Sequence, residues 1–169
     1  MNKIVAILPA LNEEAGIANV IKKVQKFTKE IIVVDGNSTD KTVQISRKLG
    51  AKVILQEGKG KGMAFQTFLK KYPIDASAYY IMLDADDTYD ARDLPKFVAG
   101  LKEFDVVSGY RTTVRYNLRD FVHLIGNKLI SLTGLLLYGK FDYDICTGYW
   151  AFRGSALKKM HITAKRFEW

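Results

Sequence analysis

The chain contains very little cysteine and histidine. Among its 169 residues there are one cysteine, Cys146, and two histidines, His123 and His161. A single cysteine excludes an internal disulfide framework and favours a reducing compartment. The two histidines show none of the spacings typical of metal ligands. We therefore expect these three side chains to be structural or surface residues.

Long apolar runs are also absent. The longest run in the carboxyl half, residues 129–138, is about 10 residues long and is interrupted by a serine and a threonine, whereas a membrane-spanning helix needs roughly 20 apolar residues. The first three residues lead directly into a strand-like segment, so no amino-terminal signal peptide is visible. We expect a cytoplasmic protein without a spanning helix.

The charge is strongly positive and unevenly distributed. The net charge is +8, yet acidic residues cluster near Glu13, Asp35 and residues 84–87. An excess of positive charge suits an anionic partner such as a nucleic acid, a phosphorylated small molecule or an anionic membrane face. A merely solvated surface is an equally good explanation of the charge. Because no base-stacking motif or long basic tract is present, we expect no nucleic-acid partner.

Strand-like and helix-like segments alternate along the chain. Short β-branched runs predict strands, and apolar residues at three- and four-residue spacing predict helices. The predicted strands span residues 3–8, 31–34, 52–55, 78–83 and 105–108, and the predicted helices span residues 12–27 and 40–49, a segment ending near Tyr72, and residues 95–101. This order predicts one α/β domain over residues 1–169, with a mostly parallel sheet covered by helices on both faces.

Three polar clusters follow predicted strands. They comprise residues 9–13, 35–37 and 84–87. In parallel α/β sheets, ligands bind beyond the carboxyl ends of the strands. Acidic groups gathered at one edge repel one another unless a cation or hydrogen-bond donors are supplied. We therefore expect the binding site at this edge.

Asp84-Ala85-Asp86 is the predicted metal site. In an extended segment, residues two apart point to the same side, so both carboxylates can face one ion. Two carboxylates together with diphosphate oxygens and water form the oxygen shell that Mg²⁺ or Mn²⁺ prefers. Asp87 is interpreted either as an additional ligand or as a turn residue.

Six segments, in their order and spacing, resemble the inverting glycosyltransferases of family 2, and among them the polyprenol-phosphate (dolichol-phosphate) sugar synthases. The segments are LPALNEE (8–14), VVDGNSTDKT (33–42), EGKGKGMA (57–64), LDADDTY (83–89), VVSGYR (106–111) and DICTGYWAFR (144–153). The resemblance implies a GT-A-type, Rossmann-like fold. It also implies transfer of a hexose from a UDP- or GDP-hexose to polyprenyl phosphate.

The resemblance also implies roles for individual residues on the donor side. The family residues that contact the nucleotide base and ribose are similar to Pro9, Leu11 and Glu13. Asp35 is similar to the acidic residue that contacts the base or ribose. Gly36 stands where many members have a second aspartate. The implied donor-binding set is Pro9, Leu11, Glu13, Asp35, Gly36, Lys61, Asp84, Ala85 and Asp86, and Lys59 lies in the same glycine-rich loop.

On the acceptor side the resemblance implies four residues. Asp144, Thr147 and Gly148 match a segment beside the sugar and acceptor. Arg111 is similar to a cation for the diphosphate or the acceptor phosphate, and joins Asp84 and Asp86 as the implied catalytic residues. A lipid phosphate is already anionic at neutral pH and needs no general base, so the expected reaction is a single displacement with inversion.

Residues 116–141 combine a broad apolar face with flanking basic residues. Such a helix suits a membrane interface with anionic headgroups, and we expect peripheral contact with the cytoplasmic membrane face. A helix docked on the catalytic core explains the pattern almost as well. Because the sequence ends at Trp169 without a cap or tail composition, we also expect a domain truncated at its carboxyl end. Two other interpretations remain: a transferase with a soluble or polysaccharide acceptor, and a catalytically silent nucleotide-sugar-binding module.

Overall fold

The structure is a computed structural model that describes residues 2–110, 144 and 147–160. Within this part, strands and helices alternate as the sequence predicts. Their bounds are β1 (Ile4–Ala10), α1 (Ile17–Val24), β2 (Glu30–Asp35), α2 (Thr42–Lys48), β3 (Lys52–Leu55), α3 (Lys61–Lys71), β4 (Tyr79–Met82), a 3-10 helix (Ala91–Asp93), α4 (Leu94–Gly100), β5 (Val106–Ser108), β6 (Trp150–Arg153) and α5 (Gly154–Leu157).

The six strands form one sheet in the order β3-β2-β1-β4-β6-β5. The first four strands of this order are parallel, and β6 runs antiparallel to both of its neighbours. The predicted α/β class with a mostly parallel sheet is therefore confirmed. Strand β6 was not predicted from the sequence; it lies between β4 and β5 and pairs Trp150 with Met82 and Ser108.

Apolar side chains fill both faces of the sheet. Along β1, Ala6 and Leu8 belong to one core with the buried face of α1, whereas Val5 and Ile7 belong to a second core with Phe65 of α3. Because successive strand residues point to opposite faces, one strand supplies both cores. Helices therefore cover both faces, as the sequence predicts.

The first helix begins later than predicted. Asn12 was the predicted start, but α1 begins at Ile17 and Asn12 has a φ of +56°. The Asn12 side chain accepts the Thr39 N–H at 2.8 Å, and its own N–H donates to the Ser38 hydroxyl at 2.9 Å. Asparagine tolerates this left-handed conformation because its short amide satisfies nearby backbone groups. The chain after β1 is thus a loop fastened to the loop after β2.

Some predictions fall on residues outside the described ranges. These are Arg111, the segment 116–141, His123, Cys146 and His161. The assignment of residues 1–169 to a single domain also stays a prediction. In the described part of the chain, no helix has both the length and the apolar character needed to cross a bilayer.

Candidate active site

The loops that follow β1, β2 and β4 meet at one edge of the sheet. These strands are adjacent and parallel, with Ala10 in register with Asp35 and Ile7 in register with Met82. Their carboxyl ends therefore open onto the same crevice, as the strand-end argument predicts.

The loops after β1 and β2 are joined by side-chain hydrogen bonds to backbone amides. The Glu13 N–H donates to the Thr42 hydroxyl at 2.8 Å, and the Glu14 N–H donates to Asp40 at 3.0 Å. In return, the Lys41 N–H donates to the Glu14 carboxylate at 3.0 Å. These bonds fix the backbone at Glu13.

Glu13 lies within the electrostatic field of the predicted metal ligands. Partial burial, followed by the negative charges of Asp86, Asp84 and Asp40, raises the pKa of the Glu13 carboxyl above its ordinary value. Carboxylates that disfavour one another's ionisation in this way are relieved by a cation. The structure therefore brings Glu13 together with Asp84 and Asp86.

The Asp84–Asp86 segment is a turn, which corrects the extended geometry assumed from the sequence. Strand β4 ends at Met82, and Ala85 and Asp86 already lie in a turn. The N–H and the hydroxyl of Thr88 donate to Oδ1 of Asp86 at 3.1 and 2.7 Å. One oxygen of Asp86 is therefore held by the turn itself.

Asp87 is a turn residue whose carboxylate contacts a lysine. Its φ is +63°, and both of its carboxylate oxygens accept from the Nζ of Lys23, at 2.7 and 2.9 Å. Of the two interpretations of Asp87, the structure shows the turn residue.

Lys61 is the first residue of α3, and its Nζ contacts Oδ1 of Asp84. The two side chains are only 21% and 25% exposed. The preceding glycine-rich loop is shaped by Gln56, whose side-chain N–H donates to the carbonyl oxygen of Gly60 at 2.8 Å. Lys59, in the same loop, is exposed. Of the two loop lysines, Lys61 is the one that reaches the Asp84 carboxylate.

Gly148, two residues before β6, lies beside Asp84 and Lys61. Its N–H donates to the Tyr89 hydroxyl at 2.6 Å. A Cβ at Gly148 would lie 2.7 Å from both the Cγ of Asp84 and the Nζ of Lys61. Of the residues predicted for the acceptor side, Gly148 therefore packs directly against the Asp84–Lys61 pair.

Asp144 and Thr147 are both buried just before Gly148. The Thr147 N–H donates to the Asp144 carbonyl oxygen at 3.1 Å, and the Trp150 indole N–H donates to the Thr147 carbonyl oxygen at 2.9 Å. These contacts fix the backbone that carries Gly148.

The other end of the crevice contains a buried carboxylate. Asp35 is 1% exposed, and its Oδ2 accepts the N–H groups of Asn37 and Ser38, each at 3.1 Å. Its Oδ1 is buried and has no hydrogen-bond partner among the described residues. A buried acceptor of this kind requires a donor from elsewhere. Leu11 is 57% exposed and offers an apolar surface, and Pro9, two residues before it, is partly buried.

Gln56 also borders this crevice, although it was not among the residues predicted from the sequence. Its backbone N–H donates to the Asp35 carbonyl oxygen at 2.8 Å. A Cβ at Gly36 would lie 3.3 Å from the Leu11 Cβ and 3.4 Å from the Gln56 Oε1. Because Gln56 directly follows β3, the strand-end rule that selected the other clusters could have found it.

The acidic residues fit a divalent cation whose remaining ligands come from a substrate and water. Within the described ranges, no group of three or more His, Cys, Asp or Glu side chains is placed to hold a metal ion. Asp84 and Asp86 are two hard oxygen donors, and after partial burial their charges are the main causes that raise the pKa of Glu13. Mg²⁺ characteristically binds through one or two carboxylates together with phosphates and water.

The sequence model of the family described as Glycosyl transferase family 2 matches residues 5–160. The chain belongs to glycosyltransferase family 2. It is 34% identical over 164 residues to glycosyltransferase AglJ of Haloferax volcanii, covering 95% of this chain and 54% of the relative. It is 32% identical over 163 residues to the dolichyl-phosphate hexose transferase of the same organism, covering 93% of this chain and 69% of the relative. The chain therefore spans little more than half the length of the first of these relatives.

The chain is also similar to solved structures of a glycosyltransferase. One is glucosyl-3-phosphoglycerate synthase from Mycobacterium tuberculosis in complex with Mn²⁺, UDP-glucose and glycerol 3-phosphate. It is 25% identical to this chain with a TM-score of 0.67, covering 90% of this chain and 57% of the synthase chain. The GT-A fold implied by the sequence resemblance is confirmed.

Proposed function

We propose that this chain is the catalytic part of an inverting glycosyltransferase that moves a hexose from a UDP- or GDP-hexose to polyprenyl phosphate. The observation that carries the proposal is the contact of the Lys61 amine with Asp84, beside Asp86, at the carboxyl end of β4. A sugar diphosphate needs positive charge at its leaving group. Lys61 supplies one such charge, and the two carboxylates suit a divalent cation.

The nucleotide end of the donor is proposed to lie over Leu11 and Asp35. Leu11 presents an apolar surface for a base, and the free Oδ1 of Asp35 can accept from a base N–H or a ribose hydroxyl. Gly36 and Gln56 border the same space. Pro9, Glu13 and Ala85 complete the proposed donor set, with Lys61 at the diphosphate.

Asp84 and Asp86 are proposed to hold Mg²⁺ or Mn²⁺. When bound, such a cation stabilises the charge that develops on the departing nucleoside diphosphate. The similar solved synthase is a complex with Mn²⁺ and UDP-glucose. Lys61 then contacts the diphosphate from the side of α3, and the Gly148 backbone limits the space around Asp84.

The acceptor is proposed to be a polyprenyl phosphate. A relative named dolichyl-phosphate hexose transferase and the net charge of +8 support this choice. A phosphate oxygen is already anionic, so in-line attack at the anomeric carbon needs alignment rather than a general base. Arg111, Asp144, Thr147 and Gly148 are the proposed acceptor-side residues. Peripheral contact with the cytoplasmic membrane face follows from a lipid acceptor.

Transfer assays with a panel of donors test this proposal. The full-length protein is incubated with labelled UDP- and GDP-hexoses and Mn²⁺ or Mg²⁺, with and without polyprenyl phosphate. We expect metal-dependent transfer that requires the lipid, and a loss of at least about 100-fold in Asp86→Asn. Asp105→Asn is the matched control, because Asp105 is 68% exposed and pairs with Arg153. Metal-dependent transfer that survives in Asp86→Asn contradicts the proposal.

A soluble acceptor is the second candidate. The observation in its favour is that the similar synthase has been solved with glycerol 3-phosphate and with phosphoglyceric acid. Adding both compounds to the panel separates the two acceptors. Donor binding without transfer to any acceptor would instead indicate a nucleotide-sugar-binding module.

A further inference from the structure

Helix α1 is joined to the turn that carries Asp84 and Asp86. Lys23, in the last turn of α1, contacts both carboxylate oxygens of Asp87, at 2.7 and 2.9 Å. Asp87 directly follows Asp86. The ion pair therefore connects residues 64 positions apart in the sequence and ends next to a proposed metal ligand.

A second contact joins the opposite end of the same helix to the same turn. A Cβ at Gly16, the residue before α1, would lie 2.9 Å from the Ala85 carbonyl oxygen and 3.2 Å from the Asp86 Cα. Gly16 and Lys23 are seven residues apart, which corresponds to about 10 Å along a helix. The turn therefore has two attachments to α1, one through backbone packing and one through an ion pair.

The ion pair also affects which carboxylates of the turn are available to a cation. Asp86, Asp87 and Asp84 lie within four residues, and three like charges so close would repel one another. Lys23 neutralises Asp87 and draws it toward α1, while Thr88 holds one oxygen of Asp86. Asp86 and Asp84, the latter also in contact with Lys61, are the two carboxylates that remain for a cation.

We propose that Lys23 is a positioning residue which, through Asp87, holds the Asp84–Asp86 turn in the shape that receives a divalent cation and the donor diphosphate. This inference rests on the proposed function, since it concerns the same site. Lys23 and Asp87 are 46% and 24% exposed at their side chains. An ion pair this exposed contributes little to global stability. Its effect is expected on ligand binding, where displacements of about 1 Å matter.

Mn²⁺ binding in the presence of UDP, and in parallel of GDP, tests this role without relying on turnover. We expect Lys23→Ala and Asp87→Asn each to weaken Mn²⁺ binding about three- to tenfold, as measured by electron paramagnetic resonance titration, with melting temperatures nearly unchanged. The double variant should bind Mn²⁺ no more weakly than either single variant does. Lys23→Arg, which keeps the positive charge, should bind Mn²⁺ as the unchanged protein does. Lys22→Ala is the matched control, because Lys22 is exposed on the same helix and makes no ion pair with a described residue.

Steady-state kinetics supply a second readout. In Lys23→Ala the donor KM should rise while the KM for the acceptor stays constant. The positioning role is overturned if Lys23→Ala and Asp87→Asn both have the same Mn²⁺ affinity and donor KM as Lys22→Ala. It is also overturned if the melting temperature falls while the Mn²⁺ affinity and the donor KM stay unchanged.

The same titration separates this inference from the proposed function. Asp84→Asn and Asp86→Asn are measured alongside. Undiminished Mn²⁺ binding in both would remove the proposed metal site and the positioning role with it. Lost binding in both, with normal binding in Lys23→Ala and Asp87→Asn, leaves the proposed function standing and overturns only the positioning role.

Discussion

The Lys61 amine and the Asp84 carboxylate form an ion pair that packs against the backbone of Gly148. The pair joins the start of α3, the end of β4 and the segment before β6. Each of its side chains is about three quarters shielded from solvent. Lys61 and the proposed cation therefore share one carboxylate, and this sharing leads to opposite expectations for metal binding and for catalysis.

Replacing Lys61 with alanine is expected to separate those two effects. Free Mn²⁺ should bind several-fold more tightly, because the amine no longer competes for Asp84. Donor kcat/KM should fall about 10- to 100-fold, because the diphosphate loses a charge-assisted contact. Titration with Mn²⁺ alone and steady-state kinetics measure the two quantities.

Lys59→Ala is the control for this change, since Lys59 lies in the same loop and is exposed. It should leave both quantities within about twofold of the unchanged protein, as is usual for exposed side chains away from a site. Weaker binding of free Mn²⁺ in Lys61→Ala would show that the amine supports the metal site rather than competing with it.

Gly148→Ala is expected to reduce transfer without unfolding the protein. The added Cβ would lie 2.7 Å from the Asp84 Cγ and from the Lys61 Nζ, so the pair must shift. We expect donor kcat/KM to fall at least about tenfold, since displacements of about 1 Å are costly in a catalytic site. Far-ultraviolet circular dichroism should be unchanged.

Gly50→Ala provides the matched glycine control. Gly50 has a φ of +81° and nothing within 4 Å of a Cβ built there. This variant should lose about 1 kcal/mol of stability through backbone strain and keep full activity. Equal activity in the two glycine variants would argue against a tight fit at Gly148.

Asp35→Asn is expected to weaken nucleotide binding selectively. The free Oδ1 of Asp35 is buried, and the proposed donor contact there is charge-assisted. Losing it should lower UDP or GDP affinity about 10- to 100-fold, corresponding to about 1.5–3 kcal/mol. Without nucleotide, the melting temperature should hold or rise, because an amide costs less to bury than a carboxylate.

Isothermal titration calorimetry with each nucleotide measures this effect, and Asp105→Asn again serves as the exposed control. Unchanged affinity in Asp35→Asn for both nucleotides would place the base elsewhere in the crevice.

Local patterns were sufficient to predict most strands and the edge at which the site lies. All four side chains of Ile31–Val34 are buried, on both faces of the sheet. Such a continuous apolar run, without alternating polar residues, is typical of a strand covered on both faces. Asp35 and Asp84 were found because the sequence places each next to such a run. Strand β6 was missed, because Trp150–Arg153 contains no β-branched residue and so lacks the signal that predicted the other strands.

The remaining features depend on contacts that no local pattern contains. Asn12 resembles a helix cap in sequence, and only the neighbouring Ser38–Thr39 loop makes it a loop residue. The pairing of Lys23 with Asp87 spans 64 positions. The sequence does not distinguish Lys23 from the many other lysines of this chain, so this contact can be identified only from the three-dimensional structure.

The opposite edge of the sheet offers a stability test that is independent of the site. Glu30 accepts from the Lys52 amine at 2.9 Å and the Tyr72 hydroxyl at 2.7 Å, and pairs with Lys3 at 3.1 Å. These contacts, with Lys52 the largest, lower the pKa of Glu30 from 4.5 to about 2. A carboxyl with a lowered pKa in the folded state adds stability above pH 4.5, and this contribution disappears as the pH falls to about 2.

Glu30→Gln should therefore destabilise the protein near neutral pH by about 1–2 kcal/mol, since the partly exposed pairs are screened by solvent. Thermal unfolding of both proteins between pH 7 and pH 2 measures the difference. It should be constant above about pH 5 and shrink steadily below it, because the unfolded state of the unchanged protein then takes up a proton that the folded state binds only near pH 2. Glu103→Gln, at an exposed position, is the control for removing one surface carboxylate. A difference in melting temperature that is the same at pH 7 and pH 2 would mean that Glu30 acts through packing rather than through its charge.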